Sequence, residues 1–284
     1  MRFVTRAEWG ARPPENGHPE VLTNKGVKIH YFGSLFVGVE HSQCPRKMRE
    51  TQDEHMNGNH WADIGYSLAV CQHGYVYEGR GKNAQNSANG NPELNRDHYA
   101  VLAFVGSSII TEPSSVQITG IQDAIAYLRR HGAGNEIRGH RDGYATQCPG
   151  GPLYQLVQAG TLDPGTLYDG GIHTVQVGDS LESISLKYNI PKMYIIAVNN
   201  LQAPYDLTVG QKLKVPARGV NLGEGVPEGG DGGGETPTPT GYIPFPGTEW
   251  FMSNPNSPIV TAMGQRLVAE GCGKYTSGPG PQWS

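Results

Sequence analysis

The chain lacks any run of 18 apolar residues, which excludes a membrane-spanning helix. It also lacks an excess of basic residues. Its 22 Lys and Arg against 26 Asp and Glu leave a formal charge of −4, and without a basic footprint nucleic acid is excluded as the main partner. A neutral or cationic partner fits better. The opening MRFVTRAEWGARPPENG has no apolar core of the kind a Sec signal needs, and charges interrupt it at Arg6 and Glu8. Cysteine is scarce as well: Cys44, Cys71, Cys148 and Cys272 are too few and too scattered for a disulfide-stapled mini-domain. Cys44 and Cys71 can pair if the fold brings them together. Two separate buried thiols fit the sequence as well, because a bridge needs a Cα separation that sequence does not supply.

Glycine and proline, in contrast, are abundant, with 40 Gly and 21 Pro in 284 residues. That is about 21% where about 12% is average, and it points to linkers between domains. Residues 219–248 contain 10 Gly, 5 Pro and four acids, with no base and no apolar periodicity, and read as a linker. Its Gly-rich half is expected to be flexible and TPTPT to be extended. The block HTVQVGDSLESISLKYNIPKMYIIAVNNLQAPYDLTVGQKLKVP, residues 173–216, reads as strand, helix, helix, strand. Gly178 and Asp179 turn the chain, Ser180 caps a first helix with Leu181, Ile184, Leu186 and Tyr188 as its apolar face, and Pro191 starts a second. In that second helix Ile195, Ile196 and Val198 are expected to look inward.

Residues 1–165 form the large domain. VKIHYFG, IGYSLAVC and YAVLAFVG read as interior strands, CPRKMRETQDEHM as a polar helix, and SSVQITGIQDAIAYLRRHGAG as an apolar one through Ile118, Ile121, Ile125 and Leu128. Alternating strands and helices predict an α/β fold with a mixed central sheet flanked by helices, followed by a small βααβ domain. Residues 249–284 carry one helix candidate, too little to bury a core alone, and read as part of a further module or as a tail.

The chemistry concentrates in RGHRDGYATQCPGG, residues 138–151, where His140 and Cys148 share a loop on which their side chains can converge. Imidazole and thiolate suit zinc, and a catalytic zinc takes three protein ligands. His30 is the candidate third, since an imidazole in an apolar strand is costly unless bonded. A histidine bonded to the backbone is the alternative. The histidines at 41, 55, 60, 73, 98 and 131 read as surface residues.

In one order, TRAEWGARPP, KIHYFG, WADIGYSLAVCQHGYVYEGRG and RGHRDGYATQCPG span nearly all of the first 160 residues. Together they resemble the zinc N-acetylmuramoyl-L-alanine amidases of the peptidoglycan recognition protein family, the type 2 amidases. The resemblance implies one Zn2+ in a three-layer α/β domain that cuts the amide between the lactyl group of N-acetylmuramic acid and L-alanine. His30, His140 and Cys148 match the ligands, and the cysteine separates amidases from non-catalytic relatives. Tyr66 matches a catalytic tyrosine. Thr146 stands where some phage amidases have Lys, so stabilisation of an oxyanion would lean on zinc and Tyr66. Trp9 and Arg12 read as packing groups and Glu78 with Arg80 as an ion pair or groove wall. Asp142 reads as a loop-orienting group, and Trp61 with Asp63 as possible stem-peptide contacts.

Residues 173–216 resemble a LysM module. The resemblance implies binding of N-acetylglucosamine-containing glycan between the loop at Gly178, Asp179 and Ser180 and the loop from Leu201 to Asp206. The segment after the linker is similar to the start of a wall-binding module of actinobacterial phage lysins. These features together imply a phage endolysin: a peptidoglycan hydrolase, monomeric, made in the host cytoplasm without a Sec signal and released to act at the cell wall. A bacterial autolysin with the same chemistry and a recognition protein that binds without cutting are the alternatives. A lysozyme-like glycosidase would need paired carboxylates, and Glu8, Glu20 and Glu40 give no such arrangement.

Overall fold

A computed structural model describes residues 1–21 and 24–222. Its elements run Phe3–Val4 (β1), Arg6–Trp9 (α1), Gly26–His30 (β2), Leu35–Phe36 (β3), Cys44–Asp53 (α2), Leu68–Val70 (β4), Val76–Glu78 (β5), Pro92–Asp97 (α3) and His98–Ala103 (β6). They continue through Ser108–Ile109 (β7), Ser115–Arg130 (α4), Glu136–Gly139 (β8) and Gly151–Gln158 (α5). Six strands make one mixed sheet in the order β1-β5-β4-β6-β2-β8. β4, β6, β2 and β8 run parallel, and β5 runs antiparallel to β4. The α/β expectation holds.

Each face of the sheet carries its own core. Val27 and Ile29 of β2, with Val101 and Ala103 of β6, pack against Ile121, Ala124, Ile125 and Leu128 of α4 and Leu153 of α5. The three-to-four-residue repeat of α4 produces this contact, and each fully buried Ile or Leu contributes about 1.5–3 kcal/mol. Ser114 caps the helix start, and Gly132, at φ +98°, carries the chain out of its far end. On the opposite face Trp9, Met48 of α2, Ala69, Tyr77, Leu102 and Phe104 form the second core. β4 begins only at Leu68. The preceding residues 64–67, expected as strand, run as a loop held by Ser67 N–H to Ala100 O at 2.9 Å and Gly79 N–H to Ser67 O at 3.0 Å.

A third core belongs to the small βααβ block, Gly171–Thr174 (β9), Leu181–Tyr188 (α6), Lys192–Asn199 (α7) and Lys212–Val215 (β10). Val175, Leu181, Ile184, Tyr194, Ile195, Leu213 and Val215 are buried there. Ser180 caps α6 reciprocally with Ser183. Leu186 does not join the apolar face as expected: it is 82% exposed. At 100° per residue it stands about 140° around the helix from Leu181, whereas Ile184 and Tyr188 recur at i+3 and i+7 on the inward side.

The small block is not strung on a flexible tether. It belongs to the same compact unit as the large domain, joined through Asp123 of α4. One carboxylate oxygen accepts from Arg218 Nε at 2.7 Å and the other from the Tyr194 hydroxyl. Arg218 also donates to Gln122 Oε1 at 3.0 Å and Asn189 O at 2.9 Å, and Arg130 donates to Tyr168 O at 2.7 Å. The first four residues of the expected linker, 219–222, are packed as well. A Cβ on Gly219 would lie 2.6 Å from the α4 backbone, and Leu222 N–H donates to Met1 O at 3.1 Å. Arg218 anchors this stretch. The rest of the expected linker and residues 249–284, with Cys272, lie outside the described residues. Among those described, no helix is long and apolar enough to cross a membrane.

Asp123→Ala would leave the Arg218 guanidinium buried and unpaired, with an expected loss of about 3–5 kcal/mol of stability. Urea unfolding measures this, and limited proteolysis should then cut between residues 160 and 172. An unchanged midpoint and cleavage pattern would mean that Asp123 does not hold the two parts together.

Candidate metal centre

His30 ends β2, at the carboxyl edge of the parallel strands where α/β sheets bind ligands. Side chains alternate along the strand, so Val27 and Ile29 enter the first core while Lys28 and His30 face the other way. β8 lies beside β2 with Gly139 opposite Ile29, which delivers residue 140 next to His30. The loop from 140 then turns back, bringing Cys148 Sγ to 3.6 Å from His30 Nδ1. The ring centroids of His30 and His140 are 4.6 Å apart. One ligand atom from each of His30, His140 and Cys148 lies within 4.8 Å of the others. The three residues proposed as ligands from sequence are therefore together.

Several groups hold this loop closed. Lys28 reaches through the protein to His140 O at 3.5 Å and to Asp142 O. The Asp142 carboxylate accepts Gly139 N–H and the Tyr154 hydroxyl, both at 2.7 Å, and so orients the loop as expected. Arg141 N–H donates to Cys148 O at 3.0 Å, and Cys148 N–H donates to Thr146 Oγ1 at 3.2 Å.

Asn89, which sequence reasoning missed, governs both imidazoles. Its Oδ1 lies 2.8 Å from His30 Nε2, and its backbone carbonyl takes a hydrogen bond from His140. The Asn89 amide is itself fixed, donating to Leu94 O at 3.0 Å and His98 O at 2.8 Å. This leaves His30 Nδ1 turned toward Cys148 and His140 Nε2 buried with no partner. An orphaned buried nitrogen beside a thiol and a second imidazole is the arrangement a cation satisfies, and two nitrogens with one sulfur suit zinc. No local motif in NSANGNPELN marks Asn89. Lys28 did carry a signal, a charge inside an apolar strand.

Burial, then the neighbouring His140, pushes His30 down to about 3, and burial with Lys28 pushes His140 down to about 4. Both rings are thus neutral and able to ligate near neutral pH. Burial pushes the Cys148 thiol up to about 12, so without a cation it keeps its proton.

Tyr66 lies beside this cluster, its ring centroid 5.4 Å from that of His30. Burial above all, with Cys148 nearby, raises its hydroxyl above the ordinary tyrosine value, so it stays protonated and able to donate. Arg80 fixes the Tyr66 loop by donating to Ile64 O at 2.6 Å and Gln85 O at 3.0 Å. Gly79 is required opposite, since a Cβ there would fall 2.2 Å from Tyr66 O. His55, expected at the surface, packs 5.4 Å from the Tyr66 ring and accepts Gly65 N–H at 2.9 Å; burial pushes it down to about 4. His98 is likewise buried, 3.0 Å from Glu136.

Asp63 cannot touch a stem peptide as expected. It is wholly buried, bonded to Arg6 at 2.8 Å, His18 at 3.1 Å and Gln52 at 2.5 Å, because an unpaired carboxylate there would be prohibitive. Trp61 remains half-buried near His55. Trp9 packs as expected, donating to Glu78 O at 2.8 Å, and Arg12 pairs with Asp53 at 2.9 Å. In the small block, Asp179 holds His173 at 2.8 Å and Gln176 N–H at 2.7 Å, and the Ser180 hydroxyl accepts Ser183 N–H. Gly178 and Asp206 are exposed and Leu201 is half-buried.

Peptidoglycan-recognition protein SD of Drosophila simulans is 31% identical over 161 residues, covering 55% of this chain and 84% of that protein. The chain belongs to the peptidoglycan recognition protein family. Peptidoglycan recognition protein 1 of Mus musculus is 30% identical over 167 residues, covering 55% and 86%. The family fold is also that of Drosophila PGRP-LB, whose solved structure matches with a TM-score of 0.50 at 27% identity, over 56% of this chain and 93% of that one. A structure of PGRP-LB in complex with tracheal cytotoxin matches with the same score at 26% identity, over 56% and 94%. Residues 173–216 match the LysM domain family.

Two outcomes follow from this geometry. Asn89→Ala, which removes the side-chain acceptor of His30 and leaves the backbone carbonyl that takes His140, should weaken zinc binding roughly 10–100-fold, measured by competition with a chromophoric chelator; unchanged affinity would remove the Asn89 side chain from the site. Zinc binding to His30, His140 and Cys148 should release about one proton at pH 7, because the thiol is protonated beforehand and the imidazoles are not. Calorimetry in buffers of different ionisation enthalpy counts it, with Cys148→Ser protein as the blank.

Proposed function

We propose that the chain is a zinc-dependent N-acetylmuramoyl-L-alanine amidase that hydrolyses the amide between N-acetylmuramic acid and the first stem-peptide residue. What supports this is the convergence of His30, His140 and Cys148 around a buried, unpartnered imidazole nitrogen, with Tyr66 alongside. When bound, zinc supplies a Lewis acid that acidifies water and polarises a carbonyl. Two neutral imidazoles and one thiolate leave that centre a net charge of about +1, which keeps it electrophilic.

The chain's own groups do the rest. Asn89 orients both rings, and Lys28 and Asp142 hold the 140–148 loop. Tyr66 keeps its O–H proton and donates to the amide oxygen where negative charge develops, a role for preorganised donors. Thr146 accepts Cys148 N–H through its oxygen, leaving its own O–H to donate. Being neutral, it makes Tyr66 the stronger contributor. The LysM domain holds the protein on wall glycan and raises the local concentration of stem peptides, the division of labour of a phage or bacterial lysin. The tracheal cytotoxin complex of PGRP-LB supports a wall fragment as ligand.

Mass spectrometry of purified peptidoglycan after incubation with the full chain tests this. Stem peptides beginning at L-alanine should appear, vanish with a chelator and return with zinc. Intact links despite tight pelleting with the wall would make the protein a recognition protein instead. Tyr66→Phe should lower kcat about 10²–10³-fold while zinc content stays unchanged.

A further inference from the structure

We propose that His41, Cys44 and Cys71 form a second metal site, independent of the first, for a thiophilic divalent ion, zinc above all. One ligand atom from each lies within 4.8 Å of the others, the same closeness as at His30, His140 and Cys148. His41 begins a single 3₁₀ turn, His41–Gln43, and Cys44 is the first residue of α2, so their three-residue spacing sets both side chains on one face. Cys71 follows directly on β4 and meets them from the sheet. Two ligands close in sequence and a third from a separate element are a common plan for zinc.

Charge and burial favour a metal over two isolated thiols. Cys44 and Cys71 are wholly buried in the second core, among Phe36, Met48, Tyr77 and Phe104. One neutral imidazole and two thiolates cancel a divalent charge, so a neutral centre would sit in that apolar core without the desolvation cost of a buried net charge. The first cluster, with one thiolate, keeps a positive charge; this one would be electrically neutral, with its fourth position left to water or a neighbouring group. His41 is aimed at the sulfurs. Its ring stacks on Tyr75 with centroids 3.9 Å apart and meets His73 edge-on at 5.5 Å, and it hydrogen-bonds to Cys71. The buried Tyr77 hydroxyl faces the same two thiols and meets no nitrogen or oxygen partner. A disulfide would leave the third ligand without a role and would require a two-electron oxidant, whereas both cysteines are free thiols. Bound there, the ion would clamp the start of α2 onto β4, on the face of the sheet that carries Trp9 and Met48.

Metal analysis of the full chain, purified reduced and without chelator, decides. The expected result is two zinc ions per chain, falling to one in Cys148→Ser and to one in Cys71→Ser, with the survivor differing between them. His41→Ala covers the case in which Cys71→Ser fails to fold: it should lose one zinc while both thiols remain, which a cysteine pair alone would not do. In Cys148→Ser, chelation should lower the melting temperature, because the remaining ion ties the fold. One zinc per chain in the unaltered protein would overturn the proposal, whether Cys44 and Cys71 are then found as thiols or as a peptide pair lighter by two hydrogens.

Discussion

Two imidazoles and a thiol meet at the end of a parallel sheet in an orientation that Asn89 sets by taking one nitrogen of each ring. Its side chain and its backbone carbonyl each take one imidazole, and its own amide is tied to Leu94 and His98 carbonyls. A ring bonded on one nitrogen must present the other, so this one residue decides which atoms point inward. The remaining supports follow from it. Lys28 and Asp142 shape the loop that brings His140 and Cys148 to that point, and Arg80 with Gly79 set Tyr66 beside it.

The two His and Cys clusters differ in the charge that each would leave on a divalent cation. At the sheet's carboxyl edge, burial keeps both imidazoles neutral and the thiol protonated, and a divalent cation would retain positive charge there. In the second core, two sulfurs and one ring would cancel such a charge entirely. Under the two proposals, a residual charge would polarise a substrate, and a neutral centre would sit in an apolar core. Both use the same sheet, one at its end and one on its face.

The LysM domain is part of the same packed unit because Asp123, on α4, needs partners as strongly as Arg218 does. Neither can be buried alone, and each is supplied by a segment distant in sequence. The small block and the large domain are thereby held in a definite relation by packing.

Periodicity in the sequence was enough to determine the α/β class, the long apolar helix α4 and the βααβ block, while the order of its motifs, by resemblance, singled out His30, His140 and Cys148. These are local properties: side-chain repeats of 3.6 and 2, turn residues at fixed offsets, and unusual residues in an apolar strand. Two causes separate the structure from the local patterns: the strict helical period in one case and non-local partners in the others. Leu186 faces water because only Leu181, Ile184 and Tyr188 share the inward side of their helix. Asp63 is withdrawn from the surface by Arg6, His18 and Gln52, and residues 219–222 are pinned by Arg218 on Asp123. Asn89 and the meeting of His41 with Cys71 were decided by tertiary structure alone, since hydrogen bonds and ligand geometry depend on which strands lie side by side, and that pairing is written in no short stretch of the chain.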